Sequence, residues 1–270
     1  MFLAAVIQIT STSDVEKNLG EASALIERAA GYGARLVATP ENTNFLGPAR
    51  EKVERAEALD GPTCRGFAQL ARRLQIHLLL GSFNERSEVP GRCHNTSVLF
   101  GPDGMILATY RKIHLFDIDL WESVSYRESD TIQAGDRPVV AATAVGRLGL
   151  SICYDLRFGN LYRRLVQDGA EILCIPAAFT LTTGRDHWEP LLRARAIECQ
   201  CYVLAPAQFG RHDDTGLRES FGHALIVDPW GHVIAMASDG PGLALAEMDL
   251  DRVARIRQSM PASAHFRPGL

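Results

Sequence analysis

The segment Arg147-Leu-Gly-Leu-Ser-Ile-Cys153-Tyr-Asp155 sets the tightest limit on how this chain folds. Its apolar run, 148–152, lacks polar alternation, the pattern of a short strand covered on both faces. Cys153 stands where that strand gives way to the polar Asp155 and Arg157, and a helical segment closing at Asp168-Gly169 follows. Open α/β sheets bind ligands beyond the carboxyl ends of their strands, so this is a site position. The alternative is that Cys153 is a small buried hydrophobe, as most free cysteines are.

The rest of the chain supplies the layers that such a strand needs. Residues 2–9 alternate as a strand, and Ser13-Asp14 offers an N-cap. Val15, Leu19, Ala22, Ile26 and Ala29 then mark one helix face, ended by Gly31 and Gly33. Strands are predicted at 36–38 and 77–83, with a helix opening at Pro62 between them. Gly101-Pro-Asp-Gly104 turns a hairpin between 96–100 and 105–110, and Gly146 joins 139–145 to 148–153. A helix at 161–167, a strand at 171–176, a helix from about His187 to Cys199 and a strand at 201–207 repeat the alternation. Asp228-Pro-Trp-Gly231 turns a second hairpin between 223–227 and 232–236, followed by a strand at 243–248 and a polar helix over 249–257. No linker, repeat or low-complexity stretch divides the 270 residues, so the expectation is one α/β domain of two packed sheets with helices outside.

Composition narrows the function classes. A formal charge of -4 gives no support to a nucleic-acid partner or an anionic membrane surface. No apolar run approaches the ~20 residues of a membrane helix. The N-terminal segment suits a first core strand better than a secretory leader. Six scattered cysteines then favour reduced thiols in the cytoplasm over a disulfide framework. Cys199-Gln-Cys201 is the one close pair, and nothing at zinc-site spacing accompanies it, so no metal is expected.

Three ionisable residues fall at strand exits: Glu41 after Thr39-Pro40, Lys112 after 105–110, and Cys153. If those strands lie side by side in parallel, one rim carries a carboxylate, an ammonium and a thiol. A thiol nucleophile needs a base for its proton or a cation for its anion, and Glu41 and Lys112 supply these. Lys112 and the Tyr154 backbone N–H can also hold an oxyanion. A fast-reacting Cys153 of low pKa is the expected signature. Against this, Glu41 could cap a turn and Lys112 could be a solvated loop charge.

Pro40-Glu41-Asn42, Arg111-Lys112-Ile113-His114-Leu115-Phe116-Asp117 and Cys153-Tyr154-Asp155-Leu156-Arg157-Phe158 resemble the three signature blocks of the nitrilase (carbon–nitrogen hydrolase) superfamily. The resemblance spans nearly the whole chain. It implies a four-layer αββα sandwich, a homodimer, no cofactor, and hydrolysis of a non-peptide C–N bond through a thioester. It makes Cys153 the nucleophile, Glu41 the base and Lys112 the oxyanion-stabilising proton donor. Glu128, in Tyr126-Arg-Glu-Ser-Asp130, resembles the family's second glutamate, which orients the lysine; otherwise it is a surface acid. The resemblance draws a carbon–nitrogen hydrolase domain over 1–250 and a C-terminal helix and tail over 251–270.

Residues 183–203 resemble the Nit branch, whose members hydrolyse terminal amides of small acids and release ammonia. Residues 205–212 and 220–223 look closer to amidases for deaminated glutathione than to omega-amidases acting on 2-oxoglutaramate or 2-oxosuccinamate. An N-carbamoyl amidohydrolase and a silent, partner-binding subunit are the other readings. For such a small anionic amide, Arg157 is a candidate carboxylate grip, or else an ion-pair partner of Asp155. Tyr154, Thr180 and His187 are candidate pocket residues, His187 having a structural role at a helix start as its alternative. Gly159-Asn160 departs from the family's Pro-Glu, and it is expected to loosen the turn behind the thiol.

Overall fold

The computed structural model describes residues 1–120, 124–213, 219–265 and 267. In chain order the elements are β1 (Phe2–Ile9), α1 (Val15–Gly31), β2 (Ala34–Ala38), α2 (Ala49–Glu54), α3 (Pro62–Leu74), β3 (His77–Arg86), β4 (Cys93–Phe100) and β5 (Ile106–Arg111). Next come β6 (Asp117–Leu120), β7 (Val124–Arg127), β8 (Val139–Thr143), β9 (Gly146–Leu150), α4 (Gly159–Gln167), β10 (Ile172–Cys174) and α5 (Leu181–Cys199). The last are β11 (Tyr202–Ala205), β12 (Ala207–Arg211), β13 (Glu219–Phe221), β14 (Leu225–Val227), β15 (Val233–Met236), β16 (Gly242–Met248) and α6 (Leu250–Ser259).

Two large sheets form, beside a small hairpin of β6 with β7. One has the order β13-β12-β1-β2-β3-β4-β5, with β16 also pairing β1; the other runs β15-β14-β11-β10-β9-β8. The period-two alternation of β1 shows why they stack. Ala4 and Val6 point into a core shared with Leu148, Leu150 and Ile172 of the second sheet. Ala5, Ile7 and Ile9 point the other way, against Ala22, Ile26 and Ala29 of α1 and Phe67 of α3. Helices α4 and α5 cover the second sheet through Leu165, Leu192 and Ala196. The layers are therefore helix, sheet, sheet, helix. Each fully buried Leu or Ile in the double core contributes about 1.5–3 kcal/mol.

Sequence and structure part at three places. Elements α2, β6, β7, β12 and β13 are short, and no periodicity announces them. Helix α5 starts at Leu181, six residues before the expected start, and its first turns pack against β13 at Gly184, where a Cβ would lie 2.3 Å from the Phe221 Cβ. The site strands do not lie side by side: β2 and β5 run the same way in the first sheet with β3 and β4 between them, and β9 belongs to the second sheet. In the C-terminal stretch, α6 packs Val253 and Ile256 inward, and residues 266 and 268–270 lie outside those described.

Gly81 shows how tightly the Glu41 loop sits on β3. A Cβ there would meet Thr39 O at 1.9 Å and Pro40 O at 2.3 Å. Gly81→Ala is expected to cost about 1–3 kcal/mol or more of unfolding free energy in urea. Exposed Gly66 in α3 has nothing within 4 Å, so Gly66→Ala is expected to gain up to about 1 kcal/mol.

Candidate active site

Four segments deliver four side chains to one buried cluster. The loop after β2 carries Glu41, β4 carries Asn95, the exit of β5 carries Lys112, and the 3-10 turn after β7 carries Glu128. Lys112 Nζ donates to Glu41 Oε1 at 2.9 Å and to Glu128 Oε1 and Oε2 at 3.0 and 2.9 Å. Glu41 Oε2 accepts the Ala178 N–H at 2.8 Å, and Glu128 Oε2 accepts the Phe116 N–H at 2.7 Å. All four side chains are buried, Lys112 at 2% exposure, so neither acid is a surface charge.

Burial works against ionising Glu41, yet the Lys112 ammonium and hydrogen bonds from Lys112, Cys153 and the Ala178 N–H hold its carboxyl well below the usual range. Burial likewise disfavours the Lys112 ammonium, but Glu128 and Glu41 outweigh it and raise its pKa. A buried charge set like this stands only because it is paired; removing one member typically costs about 3–5 kcal/mol.

Cys153 faces the cluster from the second sheet. It sits in the left-handed region at φ 47°, costly for a residue with a Cβ, and it opens a 3-10 turn over Cys153–Arg157. Asp155 holds that turn. Its fully buried carboxylate accepts from Tyr110 OH at 2.6 Å, Ile152 N–H at 2.9 Å, His114 N–H at 3.0 Å and His114 Nδ1 at 2.7 Å. The same residue thus ties the thiol's turn to the segment that carries Lys112. Behind it, the Arg195 guanidinium reaches the Leu156 carbonyl and Glu198 and lies 3.3 Å from a Cβ built on Gly159. Helix α4 still begins at Gly159, where the family's proline would stand.

The thiol does not match the expected low pKa. Burial pushes it well above the ordinary value, the Glu41 charge pushes it further, and Lys112 offsets only part. The resting pair is therefore a neutral thiol hydrogen-bonded to an ionised Glu41.

A narrow cleft opens on this cluster, lined by Lys112, Phe116, Cys153, Tyr154, Arg157, Ala178, Phe179, Thr180 and Thr183. The Tyr154 N–H lies at the start of the 3-10 turn, where the first amides lack intrahelical partners. Arg157 is not paired with Asp155, whose oxygens are already taken. Its guanidinium lies over the Phe179 ring at 5.1 Å and donates toward His187 Nδ1 at 3.3 Å, with no carboxylate partner among the described residues. Thr180 caps α5 and pairs with Thr183 at 2.7 Å; exposed His187 stands beside Arg157 and does not line the cleft. A larger cavity opens between α4, α5 and the 262–265 turn, but neither Cys153, Glu41 nor Lys112 lines it. Sequence reasoning does not single out Asn95, the Ala178 N–H, Phe116, Phe179 or Thr183. Asn95 resembles any polar residue on a strand, and the others reach the site through tertiary packing alone.

Comparison with known proteins shows the family. The model of the carbon-nitrogen hydrolase family matches residues 3–258. A deaminated glutathione amidase of Synechocystis sp. is 47% identical over 267 residues, covering 98% of this chain and 97% of that one. The NitFhit protein of Caenorhabditis elegans superposes with a TM-score of 0.91 at 41% identity, over 98% of this chain and 65% of that chain. Saccharomyces cerevisiae Nit3, a member of branch 10 of the nitrilase superfamily, superposes at 0.87 with 29% identity, over 98% and 97%.

The raised thiol pKa has a direct readout. Alkylation of Cys153 by iodoacetamide, followed by peptide mass spectrometry, is expected to keep accelerating as pH rises past about 8.5, where an ordinary thiol levels off. A plateau near neutrality would contradict the electrostatics described.

Proposed function

The chain belongs to the carbon–nitrogen hydrolase family, and from that premise we propose an amidase in which Cys153 is the nucleophile, Glu41 the general base, Lys112 the oxyanion cation and Glu128 the residue that orients the lysine. One observation carries the reading: Lys112 Nζ lies within 3.0 Å of both carboxylates, and Lys112 and Cys153 line the same cleft.

The chemistry follows from the resting charges. Because the thiol is neutral and Glu41 ionised, the proton moves from sulfur to Glu41 as the Sγ–C bond forms, and no free thiolate accumulates. The carbonyl π pair moves to oxygen, where Lys112 Nζ and the Tyr154 N–H meet it. Collapse breaks the C–N bond, Glu41 protonates the departing nitrogen, and a thioester remains on Cys153. Glu41 then takes a proton from water as it attacks the thioester, and returns a proton to sulfur when the acid leaves. The acids, the ammonium and the thiol suffice for every step.

For the substrate we take deaminated glutathione, the molecule in the name of the Synechocystis relative above. A guanidinium on the cleft wall, free of carboxylates among the described residues, supports an anionic substrate, with Arg157 as its grip and Thr180 and His187 nearby. The leaving group follows the substrate: ammonia from a primary amide such as 2-oxoglutaramate, and a peptide amine from deaminated glutathione. Six unpaired cysteines support a cytoplasmic setting, and the family resemblance supports a homodimer.

Cys153→Ala is expected to abolish turnover of every substrate, read as released amine or ammonia; retained turnover sinks the mechanism. Across deaminated glutathione, 2-oxoglutaramate, an N-carbamoyl amino acid and a simple nitrile, the first is expected to have the highest kcat/KM, and preference for 2-oxoglutaramate overturns the substrate choice. Arg157→Ala is expected to raise KM for the anionic substrate at least about 10-fold, as loss of a charge-assisted hydrogen bond implies. An unchanged KM removes Arg157 from recognition.

A further inference from the structure

Asn95 closes a ring that neither the sequence motifs nor the triad chemistry assigns. Its Nδ2 donates to Glu41 Oε1 at 2.8 Å and approaches Glu128 Oε1 at 3.5 Å. Lys112 Nζ donates to the same two oxygens, at 2.9 and 3.0 Å. Two acceptor oxygens and two donor nitrogens therefore alternate around a closed circuit. The Asn95 carbonyl also accepts the Lys112 backbone N–H at 2.9 Å, so one residue touches every charged member of the cluster.

We propose that Asn95 is a positioning residue for the base, holding Glu41 Oε1 away from Glu128 so that Oε2 is presented to the Cys153 thiol. This rests on Glu41 and Cys153 acting as proposed above. Two carboxylates share a single ammonium here, and like charges brought together push a proton onto one of them. A second lysine in place of Asn95 would leave Glu41 a poorer base, and a third acid would force protonation. A neutral amide donor separates the two oxygens without changing the charge count.

The amide's orientation is set by the same electrostatics. Turned over, its carbonyl would face both carboxylates. As it stands, Asn95 Oδ1 is buried with no hydrogen-bond partner among the described residues. Leaving an acceptor unpaired is unfavourable, so it is the two donor contacts to the carboxylates that set the amide's orientation. What the position gains is a neutral donor aimed at the base.

The test is Asn95→Asp, nearly isosteric, in full-length protein. The introduced carboxyl would face Glu41, Glu128 and Lys112, with Cys153 beyond. At neutral pH kcat is expected to fall about 100-fold with KM little changed, a general-base loss. As pH drops and that new carboxyl gains a proton it becomes a donor again, so the activity of Asn95→Asp relative to wild type should rise toward acid. Asn95→Asp combined with Glu128→Gln restores one amide and one acid to the ring, and should recover at least about 10-fold over Asn95→Asp alone. A wild-type rate and pH profile for Asn95→Asp, or no recovery in the double variant, overturns the proposal. Should Asn95→Asp not fold, Asn95→Ser, which keeps one donor, is expected to exceed Asn95→Ala by about 10-fold in kcat, and equal rates overturn it. Glu41→Gln and Cys153→Ala run alongside: turnover in those sinks the amidase mechanism itself, whereas their silence with a normal Asn95→Asp sinks only the role of Asn95.

Discussion

A single buried ammonium organises this molecule. Lys112 is almost wholly removed from water, and moving such a charge into the interior costs several kcal/mol after relaxation. It is tolerated because two carboxylates meet it at 2.9–3.0 Å and are themselves held by backbone amides of Ala178 and Phe116. Each partner arrives on a different segment, so the charge cluster also fixes how those segments pack. The pairing of β4 with β5 sets Asn95 beside Lys112, and the small β6–β7 hairpin sets Glu128 on the other side.

The two-sheet sandwich makes this arrangement reachable. One sheet supplies base and cation from strands that run the same way, and the other supplies the thiol across the shared core. Asp155 couples the halves, since its four hydrogen bonds span Tyr110, His114 and the backbone at Ile152. The strain of a left-handed Cys153 is held in place by that carboxylate. In the resting site the electrostatics favour a neutral thiol beside an ionised acid. In the proposed mechanism, a bound substrate carbonyl draws the proton transfer forward.

Much of this is legible in the amino-acid order. Continuous apolar strands mark a covered sheet, helix faces follow the 3.6 period, and Glu41, Lys112 and Cys153 stand out at strand exits. The structure gathers those three and Glu128 into one cluster. It does not set them on a common rim, because strand exits do not say which sheet each strand joins. The first turns of α5 meet Phe221 at Gly184, a contact between segments far apart in sequence that no local pattern announces. Asn95 and the Ala178 N–H stay hidden for a similar reason: their importance lies in which charges surround them. Arg157 is legible as a cation, but only the structure shows that the Asp155 oxygens are taken by other partners.

The most direct measurement is intact-protein mass spectrometry of wild-type enzyme acid-quenched during turnover of deaminated glutathione, followed by peptide mapping. The account expects a mass increase equal to the acyl half of the substrate, confined to the peptide that contains Cys153 and lost on treatment with hydroxylamine. An enzyme that turns over with no adduct, or with the acyl group on another residue, would contradict it.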